Sequence, residues 1–93
     1  MRLLETEKKA ILDVVLSLDP NAKIYIFGSR ADDKKKGGDI GILVLSTNIT
    51  ERDRRGIKLK LYDLLGEQKI DLLIAASIEE PFVKIALETG VAL

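Results

Sequence analysis

Two short stretches of this chain carry residues that could bind a phosphate group. Gly28-Ser29-Arg30 is a predicted turn directly after one apolar run, and Asp39 opens a second apolar run. Backbone N–H groups in such a turn can hold phosphate oxygens. A hard divalent cation on the Asp39 carboxylate can neutralise the charge of those oxygens. The pattern predicts a metal-bridged phosphate site between the turn and the mouth of the second strand.

A further acid, Asp71, interrupts the apolar run Ile70-Asp71-Leu72-Leu73-Ile74. Apart from Asp71, the composition of this run predicts a strand that is buried on both faces. A carboxylate inside such a strand is costly unless it is paired or bound to a metal. Asp71 is therefore a candidate metal ligand or base, and the alternative is an acid at a strand start that turns into solvent.

Helices and strands must position these residues, and their boundaries can be predicted from periodicity and capping residues. Apolar side chains recur at helical spacing over residues 3–18, and Asp19-Pro20-Asn21 ends that helix. Thr50 is a predicted N-cap for a second helix that ends before Gly66. The pattern Ser77-Ile78-Glu79-Glu80 predicts the start of a third helix, which ends near Thr89.

The predicted strands are residues 23–27, 39–45 and 70–74, with a short edge strand over residues 91–93. The resulting order predicts an α/β (α+β) fold, with a small mixed sheet of three to four strands covered by helices. We expect Gly28, Ser29, Asp39 and Asp71 to converge in a shallow cleft at one edge of the sheet, because strand ends and helix starts gather there in α/β folds.

Composition narrows the class of protein. The 93 residues are expected to form one domain, and the 15 basic and 15 acidic side chains give a net charge of zero. Nucleic acid is therefore not expected as a direct partner. Cysteine and histidine are absent, so a base or a metal ligand must be a carboxylate or a hydroxyl. No apolar run approaches the ~18 residues of a membrane span, and no signal peptide is evident, so we expect a cytoplasmic protein.

The combined motif resembles a known family. Gly28-Ser29-Arg30-Ala31, a spacer and then Gly38-Asp39-Ile40 before an apolar strand are similar to the motif of the minimal nucleotidyltransferases, small members of the DNA polymerase beta superfamily. Leu64-Leu65-Gly66 followed by Lys69-Ile70-Asp71-Leu72 is similar to the family's approach to its third acid. The resemblance covers nearly the whole chain and implies the palm-like fold of that superfamily.

The resemblance also implies a reaction, in which AMP moves from ATP to a hydroxyl group and pyrophosphate is released. It implies two Mg²⁺ ions, with Asp39 as a ligand of both and Asp71 as a ligand of one and as the base. Gly28 and Ser29 would hold the β- and γ-phosphates, and Arg30 would add positive charge nearby.

One position departs from the family pattern, because Gly41 stands where the family has its second Asp. The loss of this carboxylate predicts severely impaired transfer. Positions 39 and 41 are predicted to share one face of the strand. Because glycine imposes no conformation that an aspartate in a strand cannot adopt, we expect Gly41→Asp to fit without a backbone change and to restore activity.

Three hypotheses for the function remain open at this stage. Small members of the family resemble antitoxins that attach AMP to a tyrosine of a helical HEPN-domain toxin, and the small size of this chain favours such a protein acceptor. Alternatively, the chain is a binding module that neutralises its partner by contact. The third hypothesis is a nucleotide sensor that binds ATP without turnover.

Overall fold

The computed structural model of this protein describes residues 3–28, 40–66 and 69–93. In these ranges the elements follow the predicted order. The helices are α1 (Glu5–Leu18), α2 (Arg54–Leu65) and α3 (Pro81–Thr89), and a short 3₁₀ turn, Glu51–Asp53, precedes α2. The strands are β1 (Lys23–Phe27), β2 (Ile40–Leu45), β3 (Ile70–Ala75) and β4 (Val91–Ala92). The structure therefore confirms the α/β (α+β) class and the mixed sheet.

The strand order in the described sheet is β3-β2-β1-β4. β1 pairs with β2 and with β4 in antiparallel fashion, whereas β2 and β3 are parallel. This arrangement places the end of β1 and the starts of β2 and β3 at the same end of the sheet. We call this the Gly28 end, since Gly28 follows β1 directly.

The helices cover both faces of the sheet. Alternate strand residues such as Ile26, Ile42 and Leu72 pack with α1 and α2 in the larger core cluster. The other face is covered by α3, where Leu43, Ala75, Val83 and Ala86 form a smaller buried cluster. Burial on both sides explains why β2 is an unbroken apolar run, as in strands with both faces covered.

Two predicted boundaries need correction, while the end of α2 is confirmed. Gly66 closes α2 with a φ of 82°, in the left-handed region that glycine adopts without strain. Ser77 does not cap α3, because its hydroxyl accepts a hydrogen bond from the Glu79 N–H at 3.0 Å within the preceding turn. The helix begins instead with Pro81 as its first residue, where the missing N–H of proline is harmless. The first helix begins at Glu5 rather than at residue 3.

A buried carboxylate, Asp19, joins the end of α1 to the end of β2. It is 3% exposed, and its two oxygens accept hydrogen bonds from the Ser46 hydroxyl at 2.6 Å and the Asn21 N–H at 2.9 Å. The Ser46 oxygen in turn accepts bonds from the N–H groups of Asn48 and Ile49. The hydrogen bond from Ser46, followed by that from Asn21, lowers the pKa of Asp19.

None of the helices in the described ranges has the length and apolar character that crossing a bilayer requires.

We expect Asp19 to make folding stability depend on pH in the acid range. Its pKa in the folded protein lies below the value of 3.8 for an unperturbed aspartate, so its contribution is present above about pH 4 and is lost as pH falls through the folded pKa. Asp19→Asn should lower the free energy of unfolding at pH 7 and flatten its decline between pH 5 and pH 3. Urea titrations at several pH values would measure this. Ser46→Ala, which removes the main donor, should also flatten the profile, and an unchanged profile in both variants would contradict the assignment.

Candidate active site

The turn at the Gly28 end depends on the conformation of Gly28. Its φ is 78°, which residues with a side chain rarely adopt, and no heavy atom of the described residues beyond its chain neighbours would lie within 4 Å of a Cβ built there. The constraint at this position therefore lies in the backbone and not in packing.

Three residues form a row across the sheet at this end. Phe27 lies opposite Gly41 in the antiparallel pair, and Gly41 lies opposite Asp71 in the parallel pair. Paired positions on neighbouring strands are about 4.8 Å apart, and their side chains leave the same face. Phe27 packs with the cluster under α3, so Asp71 also stands on the α3 face of the sheet.

The environment of Asp71 differs from the prediction. β3 lies at one edge of the described sheet, and Asp71 is exposed. The expectation of a strand buried on both faces was therefore wrong at this position, because composition does not show where a strand lies in the sheet. Because Asp71 is exposed, its carboxylate is accessible to a ligand. An exposed carboxylate pays no cost of burial, so burial gives no reason to expect a bound metal.

The space at Gly41 contradicts the expectation that an aspartate would fit there unaided. An ideal Cβ at Gly41 would lie 2.7 Å from the Phe27 carbonyl oxygen and 2.8 Å from its Cε2 atom. Contacts this short require the chain to shift, and one of the two atoms is backbone. The two-cation site implied by the family resemblance therefore does not fit at position 41. No cluster of three or more His, Cys, Asp or Glu side chains that could hold a metal exists within residues 3–28, 40–66 and 69–93.

Arg54 belongs to this end of the molecule, although sequence reasoning did not single it out. Its guanidinium forms two hydrogen bonds to the Glu51 carboxylate, at 2.7 and 2.8 Å, and donates a third to the carbonyl of Leu72 on β3. The hydrogen bonds between the two side chains, together with their opposite charges, lower the pKa of Glu51 and raise the pKa of Arg54. The spacing of three residues between Glu51 and Arg54 is the one sequence signal that could have indicated the pair.

An open groove of about 410 Å³ lies at the Gly28 end and is lined by residues of β1, α2 and β3. Its lining combines cationic, acidic and apolar side chains, namely Arg54, Lys58, Asp71, Phe27, Ile70, Leu72 and Leu73. Asp71 thus faces a groove that also carries positive charge, which is compatible with an anionic ligand beside a carboxylate.

The other predicted site residues, Ser29, Arg30 and Asp39, lie outside the described residues. Their roles in phosphate and metal binding stay predictions. The structure places Gly28, Gly41 and Asp71 at one end of the sheet. Gly28 and Asp71 line two different grooves there, so the predicted single cleft of Gly28, Ser29, Asp39 and Asp71 stays a prediction.

Comparison with known proteins bears on this arrangement. The family model described as a nucleotidyltransferase domain matches residues 8–93, which include all four strands of the described sheet. The match supports the superfamily that the motif resembles and a role in nucleotidyl transfer. No curated protein matches the chain.

We expect Gly28→Ala to lower the free energy of unfolding by about 1–2 kcal/mol, since the cost arises from the left-handed backbone alone. Gly28→Asn should cost less, because asparagine tolerates that conformation better. Guanidinium titrations of both variants and of the starting chain would measure the difference. Equal costs for alanine and asparagine would show that the conformation at Gly28 is not the constraint.

Proposed function

The chain belongs to the nucleotidyltransferase domain family, and on that premise we propose that it transfers AMP from ATP to a tyrosine hydroxyl of a HEPN-domain toxin, slowly. In this proposal the protein is an antitoxin in a two-protein system. The observation that carries the proposal is the row of Phe27, Gly41 and Asp71, which places an accessible carboxylate at the end of the sheet where β1 leads into Gly28.

Each step of the proposed reaction assigns a task to a residue. Gly28, with Ser29 and Arg30, would hold the β- and γ-phosphates of the triphosphate. The hydroxyl oxygen would then attack the α-phosphorus, its proton would pass to the Asp71 carboxylate, and the bond to pyrophosphate would break. Members of the family generally use Mg²⁺ with the nucleotide, and here Asp39 and Asp71 are the residues that would hold it.

The face of α3 supports a protein as the acceptor. Phe82 and Ile85 are 40% and 68% exposed, although both are large and apolar. They border a groove of about 340 Å³ that is lined by Phe27, Gly28, Leu73, Phe82, Ile85, Ala86 and Thr89. Among the described residues, the lining of this groove carries no charged side chain, and it includes Gly28. An apolar helix docked on α3 could therefore present a tyrosine to the predicted phosphate turn.

The second candidate function is a binding module that neutralises the same toxin by contact. The short contacts at Gly41 favour this alternative, because they leave the site without room for the family's second acid. A nucleotide sensor without turnover is a third possibility, and it differs from the module in requiring ATP. All three functions share the Gly28 end of the sheet, but only the first requires the Asp71 carboxylate as a base.

We expect slow incorporation of label from α-labelled ATP into the toxin under single-turnover conditions. Asp71→Asn should reduce the rate about a hundredfold or more, since a positioned base contributes factors of this order. Asp63→Asn, an exposed change on α2, is the matched control and should leave the rate unchanged. If Asp71→Asn labels the toxin as fast as the starting chain does, Asp71 is not the base. If the starting chain neutralises the toxin but transfers no label, the binding module replaces the transferase.

We expect Ile85→Glu to weaken binding of the toxin at least tenfold, because it places a charge in the apolar groove on α3. Leu59→Glu is the matched control, since Leu59 is also a large, exposed apolar residue, 54% exposed, but lies on α2. Calorimetric titration of the toxin into each variant would measure the two affinities. Equal losses in both variants, or a loss only in Leu59→Glu, would place the docking surface elsewhere.

A further inference from the structure

Gly41 is closely approached by its strand neighbour Phe27. Besides the Phe27 carbonyl oxygen and Cε2, the Phe27 Cδ2 atom would lie 2.9 Å from an ideal Cβ at Gly41. Real Cβ atoms essentially never have neighbours at such distances. Two of the three contacts involve the phenyl ring, so the ring lies over the face of Gly41 from which a side chain would leave.

The position of the ring is fixed from two sides. The antiparallel register holds Phe27 directly opposite Gly41, with Ile26 opposite Ile42 as the next pair. Beneath α3, the ring packs against the cluster that contains Leu43 and Val83, both fully buried. A ring held by both a strand pair and a packed cluster cannot swing away from Gly41 without losing apolar contacts.

We infer that Phe27 and Gly41 form a coupled pair in which the phenyl ring fills the volume of the missing carboxylate, so that Phe27 limits how tightly the site can bind a divalent cation. The effect on cation binding rests on the proposed function. The effect on packing concerns only the stability of the fold. It follows that Gly41→Asp by itself does not create a better cation site. The ring must be shortened as well, because the new side chain needs the space that the ring occupies.

The packing consequence can be tested by a double-mutant cycle with Gly41→Ala and Phe27→Leu. Gly41→Ala should lower the folding equilibrium constant about tenfold or more, as overpacking does. In the Phe27→Leu background, the same change should cost several-fold less, although the contact with the Phe27 carbonyl oxygen remains. Gly56→Ala on α2 is the matched control, since in the described structure no neighbouring heavy atom would lie within 4 Å of its Cβ. It should raise the folding equilibrium constant about fivefold, because alanine favours a helix more than glycine does.

The cation consequence can be tested with Mn²⁺ as the probe, by the loss of its free electron paramagnetic resonance signal. Gly41→Asp and Phe27→Leu as single variants should bind Mn²⁺ no more than about twofold better than the starting chain. The double variant should bind at least tenfold better, and adding Asp71→Asn should remove that gain. If Phe27→Leu with Gly41→Asp does not fold, Phe27→Val with Gly41→Asp serves as the second test.

The outcomes separate the failure of this inference from that of the proposed function. If Gly41→Ala costs the same with and without the Phe27 ring, or if Gly41→Asp alone gains the full Mn²⁺ affinity, the coupled pair is overturned. If the cycle shows coupling but the folded double variant gains no Mn²⁺ affinity, the cation-limiting role of Phe27 is overturned, whereas the proposed transfer is judged separately by the Asp71→Asn labelling assay. Coupling together with the tenfold gain supports both.

Discussion

The antiparallel pairing of β1 with β2, with Phe27 directly opposite Gly41, is the constraint on which the Gly28 end depends. It fixes where the turn after β1 begins, and it places the Phe27 ring over the one position where the family has an additional acid. Gly41 pairs with Asp71 between the parallel strands β2 and β3. The same row of residues therefore also fixes the position of Asp71, the one acid of the family motif that lies within the described residues. A shift of one residue in the pairing of β1 with β2 would send the Phe27 side chain to the face opposite that of Asp71.

The mixed direction of the strands explains why Gly28 and Asp71 lie at the same end. In a fully parallel sheet, ligands gather beyond the carboxyl ends of the strands. Here β1 runs against β2 and β3, so the carboxyl end of β1 meets the amino ends of the other two. Gly28 and Asp71 therefore lie at the same end of the sheet, but for a physical reason that differs from the one that the sequence indicated. Asp71 is brought to the site as the second residue of its strand and not as its last.

Much of the fold could be predicted because it depends on local patterns. The bounds of β1 and the end of α2 at Gly66 follow from composition and from glycine chemistry. The exposure of Asp71 could not be predicted, because the place of β3 at the sheet edge depends on pairing between distant segments. The burial of Asp19 was missed for the same reason, since its donor Ser46 is 27 residues away. Likewise, Gly41 was recognised as a departure from the family, but the ring of Phe27 above it depends on the strand register.

The Phe27 and Gly41 pair changes the balance between folding stability and cation binding. Two carboxylates at positions 41 and 71 would stand about 5 Å apart and, without a cation, would repel each other by about 1–3 kcal/mol depending on the local dielectric. Glycine at position 41 removes this repulsion, and the phenyl ring adds apolar packing to the smaller of the two core clusters. Both effects favour the folded chain in the absence of a cation, whereas a complete set of acids would favour it only when a cation is bound. The arrangement therefore suits a protein whose fold must persist without metal.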